Sequence, residues 1–116
     1  MISPVRCLSL ADQVAQKLHA CTGPARAGRA RDVLDILLID ALGEVDYHET
    51  AQAACRVFEE RATHPFPPEF VMPPEWRPEL EGMAAELGFP LTTSSAIQQR
   101  FLEVIRMLEH AARADA

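Results

Sequence analysis

"RARDVLDILLID", residues 29–40, places four charged side chains at the head of the most apolar run in the chain. Arg29, Arg31, Asp32 and Asp35 stand before or within Val33, Leu34, Ile36, Leu37, Leu38 and Ile39. From Val33 to Leu42 only Asp35 and Asp40 are polar. A helix that is apolar on nearly every side has to be enclosed on most of them. The run therefore predicts a central helix in a bundle. The four charges admit two readings. In one they are helix-end features: Asp32 caps the helix, Asp35 reaches back to it, and Arg31 pairs with Asp35 at i, i+4 for a few tenths of a kcal/mol. In the other they belong to a site, since charged side chains are seldom buried unless paired.

Working outward, four more helical segments and no strand can be read. Leu10, Val14, Leu18 and Cys21 recur at helical spacing, with Ser9 as N-cap, over about 9–21. "CTGPARAGRA" follows; Gly23-Pro24 and Gly28 make it a loop. The opening stretch is the second helix, about 29–42, stopped by Gly43. A third covers about 46–62, with Ala51, Ala54, Cys55 and Phe58 as its inner face. The segment "THPFPPEFVMPPEW" holds five prolines, which forbid regular helix and favour an extended crossover over 63–74. A fourth helix is expected over about 74–88, with Pro74 in its first turn. A fifth is expected over about 92–112, with Ile97, Phe101, Val104, Ile105 and Leu108 facing inward. The expected architecture is all-α: one helical domain over 1–116, a bundle of about five helices with a long proline-rich crossover.

Composition narrows the classes of function. The 116 residues suffice for one modest core, and 48% apolar content argues against a disordered tail. No apolar run approaches the ~20 residues of a membrane span, and the N-terminus lacks the features of a signal peptide. Cys7, Cys21 and Cys55 are odd in number and form no CxxC pair, so neither a zinc site nor a disulfide framework is expected. Reduced thiols in a cytoplasm are the plain reading. The net charge of −6 is wrong for a protein that grips a long nucleic acid unaided. Arg26, Arg29 and Arg31 nevertheless lie close together, and such a patch suits a single phosphate group. Lys17 sits at the edge of the first helix's apolar face, where an outward-snorkelling lysine is common. His19 points away from that face. His48, His64 and His110 share no ligand spacing, so no metal is assigned to this chain.

Taken together the segments are more specific. "CLSLADQVAQKLHACT", the short basic loop and "RARDVLDILLI" resemble the C-terminal part of the AbiEii/AbiGii-type nucleotidyltransferase toxins of abortive-infection and type IV toxin–antitoxin systems. The resemblance continues through "RATHPFPPEFVMPPEW", "LEGMAAELGFPLTT" and "RFLEVIRML". Lys17 matches the lysine of the family's Ala-Glu-Lys-Leu segment, although Gln16 replaces the usual glutamate. Arg29, Arg31, Asp32 and Asp35 match its Arg-x-[Lys/Arg]-Asp-x-x-Asp pattern. The resemblance implies that Lys17, helped by Arg29 and Arg31, contacts the phosphates of a nucleoside triphosphate. It makes Asp32 and Asp35 candidates for a catalytic base or for orienting Lys17. The short loop predicts that the two helices are antiparallel neighbours, with Lys17 beside Asp35.

The family's Gly-Ser turn and metal-binding Asp-x-Asp pair have no match here. The chain starts just before the lysine helix, so it reads as the helical C-terminal part without its catalytic core, inactive alone. Mg and a nucleoside triphosphate are implied for the complete family enzyme and no cofactor for this chain by itself. The partners implied are a separate catalytic core, an antitoxin, or a second copy in a homodimer joined through apolar faces of the first two helices. A different class of function, a non-catalytic interaction module, keeps the same helices and binds an antitoxin or itself.

Overall fold

Ser9 and Asp46 begin two of the helices in the same way. Each side-chain oxygen accepts from the backbone N–H three residues on, at 3.1 Å in both cases, and so satisfies a donor that a helix start leaves unpaired. The computed structural model describes residues 9–114, and these form five helices and no strand. The helices are α1 (Leu10–Thr22), α2 (Ala30–Ala41), α3 (Tyr47–Arg61), α4 (Trp76–Leu87) and α5 (Ser94–Ala114). The all-α class is the one the periodicities predict. Cys7 lies outside the described residues. Among the described residues no helix is long and apolar enough to cross a membrane.

The apolar run of α2 is enclosed as its pattern requires. Val33, Leu34, Ile36 and Leu37 are at most 2% exposed. Each such side chain contributes about 1.5–3 kcal/mol over its exposed state. α2 packs on α1 at its start and touches α4 and α5, while α3 bridges α1 and α5. All five residues expected on the inner face of α5 are buried. Polar ties join the same elements. Arg100 of α5 donates to Asp40 of α2 at 2.6 Å, and the hydroxyl of Tyr47 at the start of α3 also donates to Asp40. Burial and that carboxylate push the Tyr47 phenol up to about 12. Glu81 of α4 accepts from the backbone N–H of Ser94 at 2.8 Å, and Arg77 donates to the Ser94 hydroxyl.

The proline-rich crossover is anchored by its aromatic and aliphatic side chains. Phe70 and Met72 are buried, and Phe70 meets the Phe101 ring edge-to-face at 4.8 Å. α4 then starts two residues later than expected, at Trp76, because Pro73 and Pro74 form a turn whose carbonyls accept from Trp76 and Arg77. The inner face of α3 also needs correction. Thr50, Ala51, Ala53, Ala54 and Phe58 are buried, whereas Cys55 is exposed. Apart from Phe58 the face is made of small side chains, which lets α1 approach closely and leaves Cys55 outside the buried stripe. The apolar faces of α1 and α2 are closed within the chain itself. Val14, Leu18 and the core of α2 are buried, and the large exposed apolar side chains are Leu42, Val71, Leu87 and Met107. The uncovered apolar face on which a dimer through α1 and α2 would rest is therefore not found among the described residues.

Candidate functional site

The end of α1, the loop after it and the start of α2 bring the predicted charged residues together. The Lys17 ammonium donates to Asp35 at 3.1 Å and lies 3.6 Å from Asp32. Arg29 approaches the other oxygen of Asp32 at 3.8 Å, and Arg31 approaches the other oxygen of Asp35 at 3.6 Å. The five side chains thus alternate in sign, Arg29–Asp32–Lys17–Asp35–Arg31, with one positive charge in excess. The two carboxylates are the least exposed members, at 12% and 23%, while the lysine is 31% exposed. Partial burial strengthens the pairing relative to a surface ion pair.

The helix-end reading fails for Asp32. α2 starts at Ala30, its N-cap is Arg29, and no side chain caps it. Asp32 lies inside the first turn, where a negative charge suits the helix dipole. Its Oδ2 is enclosed and has no hydrogen-bond partner; Arg29 at 3.8 Å is beyond hydrogen-bond range. Asp35 does not close a capping box but turns toward α1 and Lys17. One part of that reading stands, because Arg31 and Asp35 do pair at i, i+4.

Lys17, Arg29 and Asp32 line a cleft of about 470 Å³. Its further walls come from Gly23-Pro24 in the loop, from His19 and Ala20 on α1, and from Arg61 and Thr63 at the end of α3. Arg31 and Asp35 stand behind this wall, not in it. Next to the lining residues Gly23 and Thr63, the last residue of α1 meets the crossover. Thr22 donates to the Leu18 carbonyl at 2.6 Å, and its oxygen lies 2.9 Å from Nε2 of His64 in the crossover. The hydroxyl has only one proton, so His64 must be the donor through Nε2. Its Nδ1 is then an enclosed acceptor with no partner. Gly23 is required here by close approach: a Cβ at this position would come within 2.8 Å of the His64 ring.

His19 does not point into empty surroundings, as its position off the apolar face suggested. It stacks on His64 at 4.6 Å and meets Phe58 edge-on at 5.0 Å, and its Nε2 is enclosed without a partner. Burial lowers the pKa of both imidazoles, and His19 is lowered further by His64 and Arg61 nearby. Burial and Asp32 push the Cys21 thiol upward, so it stays protonated and inert. Among the described residues no group of three or more His, Cys, Asp or Glu side chains is placed to hold a metal ion.

His19, His64, Arg61 and Thr63 were not legible as site residues. The Thr22–His64 bond joins positions 42 residues apart, which no local spacing signals. The only trace in the sequence is a cluster of irregular residues, Gly23-Pro24 and the prolines after Thr63, marking two loops that neither helix nor strand absorbs.

A family model described as "Nucleotidyl transferase AbiEii toxin, Type IV TA system" matches residues 2–106 of the chain. No curated protein matches it.

Proposed function

Since the chain belongs to the AbiEii nucleotidyl transferase toxin family of type IV toxin–antitoxin systems, we propose that its helices supply the phosphate-binding wall of a nucleotidyl-transfer site. The observation that carries this reading is the Lys17 ammonium, held by two carboxylates of the neighbouring helix at the mouth of a cleft. Transfer of a nucleotidyl group from a nucleoside triphosphate requires positive charge against the phosphates and a preorganised environment for it. Lys17 and Arg29 provide that charge. Asp35, backed by Arg31, fixes the direction of the lysine and acts as a positioning residue. Asp32 lines the cleft beside Lys17, and because its unpaired Oδ2 is enclosed its part is to position the lysine from the second side.

The magnesium ions that such chemistry uses would stabilise charge on the reacting phosphate oxygens. Both aspartates of this cluster are already engaged by Lys17, and among the described residues no three-ligand group accompanies them. The metal therefore belongs with a catalytic segment carrying the Gly-Ser and Asp-x-Asp elements that these 116 residues lack. An antitoxin is the partner that the family suggests.

Incubation of the chain with each labelled nucleoside triphosphate, magnesium and total tRNA is expected to transfer no label. Robust transfer that Lys17→Ala abolishes would show that these residues suffice alone and would overturn the division of labour between two segments.

A further inference from the structure

Arg61, from the last turn of α3, is a cation of the cleft that the charged cluster does not neutralise. Lys17 has two carboxylate neighbours and Arg29 has one, whereas among the described residues no carboxylate stands within ion-pair distance of Arg61. Its charge meets the negative end of the α3 dipole, but that orients the residue without neutralising it. Three cations and one carboxylate thus line this cleft, in a chain whose net charge is −6. Beside Arg61 lies His19, whose enclosed Nε2 lacks a hydrogen-bond partner. The cleft therefore has an unspent guanidinium, carried by a helix outside the Lys17 cluster.

We propose that Arg61 is a second phosphate contact of the cleft, reaching the polyphosphate of the nucleotide from α3 while Lys17 reaches it from α1. A guanidinium presents a planar fork of donors that matches two oxygens of one phosphate, which the point charge of a lysine does not. The two groups would then do different work. Lys17, aimed by Asp35, supplies fixed charge, and Arg61 supplies the fork that grips paired oxygens. Arg61 reaches the cleft from a separate helix, so it fixes the direction in which the polyphosphate lies. This assignment rests on the phosphate-binding reading of the cleft, and the experiment separates the two.

The test is calorimetric titration of the full chain with inorganic tripolyphosphate at low salt. Arg61→Gln is expected to weaken binding about tenfold or more, the loss typical of a charge-assisted contact. Arg61→Lys should recover part of it, since charge returns without the fork. Lys17→Ala should also weaken binding. Arg56→Gln serves as the control: Arg56 lies on the same helix, pairs with Asp12 at 3.8 Å and is not in the cleft. Its affinity should match the parent's. Because Arg61 is exposed and has no carboxylate partner, Arg61→Gln should melt with the parent, so a changed affinity is not a folding defect. If Arg61→Gln binds as the parent does while Lys17→Ala is weakened, Arg61 is not a phosphate contact and the cleft reading stands. If only Arg61→Gln is weakened, the anion sits at Arg61 and the Lys17 reading falls. Absence of any binding by the parent overturns both.

Discussion

Phe101→Ala is expected to destabilise the chain by about 3–5 kcal/mol, the range for removing a buried aromatic ring from a packed core. Phe101 is fully buried and receives the edge-to-face contact of Phe70, which in turn lies 6.2 Å from the Trp76 ring. The ring therefore joins α5 to the crossover, and through it to the start of α4. A domain of this size has about 5–15 kcal/mol to lose, so the variant should sit near its unfolding midpoint under mild denaturant. Trp76 is the single tryptophan and reports on the same neighbourhood by fluorescence during urea titration. Val71→Ala gives the internal comparison. Val71 is 75% exposed in the same crossover, and its truncation should stay within about 0.5 kcal/mol of the parent. Equal effects of the two substitutions would mean that the crossover is not docked on α5.

Lys17→Met should cost about 1–3 kcal/mol, more than an exposed ion pair is worth, because it strands two partly buried carboxylates. Asp32 and Asp35 would keep only Arg29 at 3.8 Å and Arg31 at 3.6 Å, both on exposed side chains. The loss should be largely reversed in Lys17→Met/Asp35→Asn, where one stranded charge is gone. Asp35→Asn alone leaves Lys17 with Asp32 and should be milder. A double-mutant cycle over urea midpoints measures this coupling directly. Additive effects would show that the lysine and the aspartate do not act as a unit, and the positioning role of Asp35 would go with them.

Much of the bundle was written in its spacings. α5 repeats its apolar residues every three or four positions, and every one of the five is buried. The near-uniform apolar run of α2 had no reading except enclosure. Ser9 was legible as a cap because a short side-chain oxygen precedes a periodic segment. α3 was harder: alanines and a cysteine make a weak stripe, and Cys55 and Ala53 compete for the inside with little difference in size. The structure settled this by the approach of α1, which is a tertiary effect. The site divides in the same way. Lys17, Asp32 and Asp35 lie on two helices joined by a short loop, so resemblance and topology together placed them side by side. Arg61 and Thr63 reach the cleft from the far end of α3 and the start of the crossover. Their arrival depends on how Gly23 and Thr22 dock against His64, a contact that no stretch of neighbouring residues encodes.

The central claim is that a nucleotide's phosphates lie in this cleft against Lys17. Backbone amide NMR spectra of the labelled chain, titrated with each of the four nucleoside triphosphates and magnesium, test it most directly. The account predicts that the largest shifts fall on Gln16 to Gly23, on Arg29 to Asp32 and on Arg61 to Thr63, and that they vanish in Lys17→Ala folded under the same conditions. Shifts that cluster elsewhere, or that persist undiminished without the Lys17 ammonium, would contradict it.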